Sequence, residues 1–107
     1  MRSEGGVAIR AFRGTRKTSV YREHVIPQAS FARIAAVGER EGLAVVSSLR
    51  RRARLDKRRA RRLAEEATAI RSSGELADLD DDLTAIAEVA RWCARAAGDA
   101  WMRIEGL

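Results

Sequence analysis

Two matched apolar seams between Val46 and Ile104 constrain this chain more than anything else in its 107 residues. Leu76, Leu79, Leu83, Ile86, Ala90, Cys93, Ala97, Ala100 and Ile104 alternate spacings of three and four, which lines one face of a paired helix. Val46, Leu49, Ala53, Asp56, Ala60, Leu63, Ala67 and Ile70 repeat the pattern upstream as a more polar stripe. Ser72-Ser73-Gly74 separates the two. The spacing therefore predicts two long helices folded back on each other over residues 43–107. The expected fold class is mainly α: a short N-terminal strand or hairpin, a short helix, then a long antiparallel helical hairpin resembling a coiled coil.

Those seams are rich in alanine, and only 5% of the chain is aromatic. At about 25 cal/mol per Å² of apolar surface removed from water, such a hairpin is marginal alone. It needs Phe31, Ile34 and the tryptophans, or a second copy, so completion by homodimerisation is a live expectation. The length suits one domain over residues 1–107, and 46% hydrophobic with 34% charged residues is globular rather than disordered.

Upstream, Val7 to Phe12 and Ser19 to Ile26 are β-prone runs separated by Arg13-Gly14-Thr15-Arg16-Lys17. Residues 1–26 thus read as a β-hairpin or as a basic flexible arm followed by one strand. Pro27 ends the extended stretch, and Ser30 is placed to cap a short helix within 27–42 that carries Phe31, Ile34, Ala35 and Val37 on one side. Gly38 costs about 1 kcal/mol relative to alanine in a helix. It marks either a close backbone approach or an early helix end.

Little here suggests catalysis, a cofactor or a metal. His24 is the only histidine and Cys93 the only cysteine, and the carboxylates lack ligand spacing. Cys93 reads as a small buried residue, and a single cysteine makes no internal disulfide, which fits a reducing cytoplasm. Asp56 replaces an apolar residue in the first seam, where a polar side chain can fix register. Trp92 lies off the second seam and Trp101 only beside it, so both are expected against the first helix, the N-terminal strands or a second copy. No apolar run is long enough for a signal peptide or membrane span. The alanine and arginine richness is that of GC-rich bacterial or phage coding.

Charge carries the functional signal. Residues 1–63 hold 17 Lys and Arg against 5 Asp and Glu, about +12, whereas residues 64–107 hold 4 against 10, about −6. The densest part is Arg50 to Arg62, in which Asp56 is the single acid. An ordinary solvated helix interleaves acids one turn away, so this density points to a polyanion. Arg50, Arg51, Arg54, Lys57, Arg58, Arg61 and Arg62 are the expected phosphate contacts, with Arg13, Arg16, Lys17 and Arg22 supplied by the N-terminal segment. Glu75, Asp78, Asp80, Asp81 and Asp82 complement a helix N-terminus, or else form an acidic docking face.

Strand, proline, short amphipathic helix, glycine and basic helix follow in that order from residue 19 to 55. The order resembles the ribbon-helix-helix DNA-binding proteins, a family that includes Arc- and MetJ-like repressors and plasmid mobilisation accessory proteins. The matching residues are Val20, Arg22 and His24 on the strand, Pro27, then Phe31, Ile34 and Val37 as core, Gly42 at the turn, and Leu49 with Arg50 opening the second helix. The resemblance implies a strand that pairs across a dimer and reads the major groove, with a helix N-terminus on phosphate.

The sequence therefore favours a small cytoplasmic nucleic-acid-binding accessory or regulatory protein, with DNA ahead of RNA as partner and no membrane role. Its alternative is a phage- or plasmid-type inhibitor or adaptor that docks its charged helices on an acidic or nucleoprotein partner. Neither reading makes it an enzyme.

Overall fold

The computed structural model describes residues 5–14, 20–49 and 52–106. Strands β1 (Gly6–Arg13) and β2 (Val20–Pro27) form an antiparallel hairpin, so the N-terminal segment is a ribbon rather than an arm with one strand. Helix α1 (Gln28–Arg40) and the short α2 (Ala44–Ser48) follow, then strand β3 (Arg52–Asp56), helix α3 (Lys57–Ser73), a single 3-10 turn (Ala77–Leu79), helix α4 (Asp80–Arg95) and strand β4 (Ala100–Gly106). The four strands make one antiparallel sheet in the order β2-β1-β4-β3.

This overturns the expected mainly α helical hairpin over residues 43–107. The expected first helix is divided into α2, β3 and α3, the expected second ends in β4, and β3 and β4 pair with one another from Arg52↔Glu105 to Asp56↔Trp101. At the downstream end the helical spacing stops at Arg95, and Gly98 turns the chain with φ +73°, a backbone region closed to most other residues. From there the period changes to two. Ala100, Met102 and Ile104 point into the core while Trp101, Arg103 and Glu105 alternate to the other face. At the upstream end Ala53 and Leu55 pack inward on either side of exposed Arg54, and Asp56 caps α3 by accepting from the Arg59 N–H at 2.9 Å. Asp56 is thus a helix start and not a register-setting seam residue. The basic run is likewise not one helix: its described part, Arg52 to Arg62, is divided between β3 and the first turns of α3.

The physical reason is surface. An alanine-rich pair of helices removes little apolar area from water, whereas a sheet offers both helices a flat apolar floor. Val7, Ile9 and Ala11 of β1, Ile26 of β2, Leu55 of β3 and Met102 and Ile104 of β4 form that floor. Leu63, Ala67 and Ile70 of α3 and Leu83, Ile86, Ala90 and Cys93 of α4 pack into the same core. Helix α4 lies over β1 and β2, and α3 over β3 and β4. The sheet supplies the apolar surface that the helix pair lacks by itself.

Helix α1 runs past Gly38 to Arg40, with Phe31, Ile34 and Val37 buried. Gly38 is there because α2 crosses closely: a Cβ at that position would sit 2.8 Å from Val46 Cβ and 3.2 Å from the Ser47 nitrogen. The α2 N-terminus is completed by Glu66 of α3, a buried carboxylate that accepts from the Val45 N–H at 3.1 Å and the Val46 N–H at 2.8 Å. These are donors that no residue of α2 itself satisfies.

Candidate nucleic-acid interface

Because α3 and α4 run antiparallel, the first turns of α3 stand beside the last turns of α4. That geometry sorts charge along the pair. At the far end three of the five acids of the turn are paired with arginines of the same chain: Arg33 makes a two-pronged pair with Asp78 at 2.6 and 3.2 Å, Arg40 does the same with Glu75, and Arg71 Nε reaches Asp80 at 2.7 Å. The facing guanidiniums hold the Asp78 and Glu75 carboxyls below their usual range. His24 Nε2 lies 2.9 Å from Asp82 Oδ1, tying β2 to the start of α4.

At the near end the arginines outnumber the one carboxylate, Glu65, that lines the same groove. Arg61 of α3 and Arg91 and Arg95 of α4 line a groove of about 650 Å³ together with Ala64, Glu65, Thr68 and Ala94. Arg91 Nη2 donates to Thr68 Oγ1 at 3.2 Å, which fixes its head at the rim. Arg61 and Arg95 are exposed, and among the described residues neither forms an ion pair. The small side chains of Ala64 and Ala94 leave room between the three guanidiniums. Two arginines at i and i+4 repel each other by a few tenths of a kcal/mol, and arginines in the first turn of α3 oppose its dipole. A merely soluble surface has no use for either cost.

The residues named from sequence fall into distinct groups. Arg58 and Arg61 are exposed on α3, and Arg62 is exposed with its Nε 3.4 Å from Glu66. Lys57 is structural: its ammonium donates to the carbonyls of Ala96 and of Gly98, the latter at 2.9 Å, and so ties the start of α3 to the turn after α4. Arg13 donates to the Ala97 carbonyl at 3.0 Å. Arg54 lies on the opposite side of the sheet, with its guanidinium carbon 4.3 Å from the centre of the Trp101 ring. Trp101 also stacks on Phe12 at 4.4 Å and donates its indole N–H to the Gly14 carbonyl at 2.8 Å. Arg22 turns toward α4, its guanidinium carbon 5.6 Å from the Trp92 ring centre. Arg16, Lys17, Arg50 and Arg51 lie outside the described residues.

Both tryptophans therefore meet the N-terminal ribbon, Trp101 through β1 and Trp92 through β2. Arg91 and Arg95 were not among the sequence candidates, because they sit in the half of the chain with net negative charge. Their signal was present in the sequence as two arginines one helical turn apart beside a tryptophan.

Among the described residues no group of three or more His, Cys, Asp or Glu side chains is placed to hold a metal ion, and no helix is long and apolar enough to cross a membrane. Cys93 is buried, and burial pushes its thiol up to about 11. Comparison with protein-family models, with curated proteins and with solved structures found no match for this chain.

Proposed function

We propose that this chain is a small nucleic-acid-binding accessory or regulatory protein that holds the phosphate backbone in the groove between α3 and α4. The observation that carries the reading is the convergence of Arg61, Arg91 and Arg95 on one alanine-floored groove, flanked by exposed Arg58 and Arg62. Guanidinium groups match phosphate geometry and stay charged at any relevant pH. Contacts of this kind give affinity and salt dependence but no base reading. The alternative, an inhibitor or adaptor that docks its charged helices on an acidic or nucleoprotein partner, would use this same arginine groove, since Glu75, Asp78 and Asp80 are already paired with arginines of the same chain.

Fluorescence anisotropy with labelled oligonucleotides across a salt series tests the reading. Affinity should fall steeply with salt, and the combined Arg61→Gln, Arg91→Gln and Arg95→Gln variant should lower the log–log slope by roughly 2, at about 0.7–0.9 for each phosphate no longer neutralised. Undetectable binding at low salt, or an unchanged slope in the triple variant, would remove it.

A further inference from the structure

A second depression of about 420 Å³ adjoins the arginine groove, lined by Arg22, Glu88, Arg91, Trp92, Arg95 and Ala96. It shares Arg91 and Arg95 with the first. These two side chains therefore form a ridge of positive charge between the α3–α4 groove and a place where β2 meets α4. At that place Tyr21 stacks on Trp92, with ring centres 5.3 Å apart and planes 17° from parallel. Arg22 lies over the same tryptophan.

Tyr21 has no role in sheet pairing. The register runs Ala11↔Arg22 and then Phe12↔Val20, so Tyr21 is the extra residue of a β-bulge. Bulges re-aim a side chain, and this one brings the ring toward Trp92 of α4. Yet Tyr21 remains 45% exposed, so the stack does little to bury it. Trp92 itself packs against the core and is thereby held rigid. The result is an exposed ring on a fixed tryptophan, beside three arginines.

From this juxtaposition we infer that the ligand is single-stranded nucleic acid, its phosphates on Arg61, Arg91 and Arg95 and one unpaired base stacked on Tyr21. The inference rests on the nucleic-acid reading above and narrows its substrate class. An arginine groove by itself suits any phosphate backbone. A stacking platform is usable only by a base whose face is free, and in a duplex both faces of each internal base are covered by neighbours. Aromatic stacking beside a basic track is what sequence-tolerant single-strand binding requires.

The test compares one short labelled oligonucleotide, as DNA and as RNA, in single-stranded form and annealed to its complement. The parent protein should bind the single strand more tightly than the duplex. Tyr21→Ala should weaken single-strand binding about fivefold or more, the lower bound for loss of one stacked base, and leave duplex binding unchanged. Tyr21→Phe should restore it, because the ring and not the hydroxyl stacks. In a Trp101→Phe background Trp92 is the only tryptophan, and its fluorescence should change on adding the single strand. Duplex binding equal to or tighter than single-strand binding, if still lost in the triple arginine variant, overturns the single-strand inference and keeps the nucleic-acid reading. Equal weakening of both forms by Tyr21→Ala, or none of either, also overturns the inference. Absence of binding to every probe at low salt overturns both.

Discussion

Removing the Glu66 carboxylate should be one of the most damaging single changes available in this chain. Its side chain is almost wholly buried and accepts from two backbone N–H groups at the start of α2, with Oε1 3.1 Å from Val45 N and 2.8 Å from Val46 N. In Glu66→Ala both donors stay in a dry environment without an acceptor, and each such orphan costs about 1–3 kcal/mol. The pair with Arg62 adds little, because that arginine is 63% exposed and solvent screens it. The expected loss is about 2–6 kcal/mol, a large share of the ~5–15 kcal/mol typical of a small domain. At about 4–8 °C per kcal/mol, Tm should drop by at least roughly 8 °C. Glu66→Gln retains one oxygen able to accept from both amides, so it should cost about half as much. Guanidinium unfolding followed by circular dichroism measures both, and hydrogen exchange at Val45 and Val46 reports the site directly. A Glu66→Ala protein within about 1 kcal/mol of the parent, or unchanged exchange at those amides, would refute the idea that this carboxylate completes α2.

Three further outcomes rest on single side chains. Gly38→Ala gains about 1 kcal/mol of helix propensity but forces a Cβ against Val46 and the Ser47 backbone, an overpacking cost of about 1–3 kcal/mol. The protein should be less stable by up to about 2 kcal/mol, and a variant more stable than the parent would contradict the close crossing of α1 and α2. Asp56→Ala should cost about 1 kcal/mol in denaturant unfolding by uncapping α3, and an unchanged midpoint would mean that the Arg59 N–H needs no acceptor. Cys93 holds its proton in the folded chain up to about pH 11, against 9.0 when exposed. The associated stability is therefore intact below about pH 9 and is lost as pH rises toward 11. Parent and Cys93→Ala should diverge over that window, and parallel pH profiles would exclude thiol burial as the cause.

The sequence displays α1 openly, because Phe31, Ile34 and Val37 fall on one face of a 3.6-residue period and the same residues are buried. It conceals β3 and β4 for a specific reason. Ala53 and Asp56 satisfy a three-four spacing with Leu49 and Ala60, while the true pattern is the alternation of Ala53, Arg54, Leu55 and Asp56. Two coincident periods cannot be separated by periodicity alone over five residues. The discriminating marks were local: Asp56 as a cap at the head of a helix, and Gly98 before an aromatic and β-branched run. At the candidate site Arg61 and Arg22 were legible from charge density. Arg91 and Arg95 were not, since their membership depends on the antiparallel return of α4, which brings the basic ends of two helices together.

The sheet order has one consequence in time. Its two central strands, β1 and β4, are the first and last elements of the fold, and Val7 pairs with Gly106 across nearly the whole chain. Closing so long a loop costs entropy before any contact repays it, so folding should be slow for a chain of this size. Until β4 arrives, the β1–β2 ribbon has no neighbour on its inner edge, and β3 has no partner among the described strands. The hairpin that forms earliest by proximity therefore waits with an open edge and a bare apolar face, a state prone to joining other chains. The last strand acts as a keystone: it converts two loose pieces into one sheet and protects both.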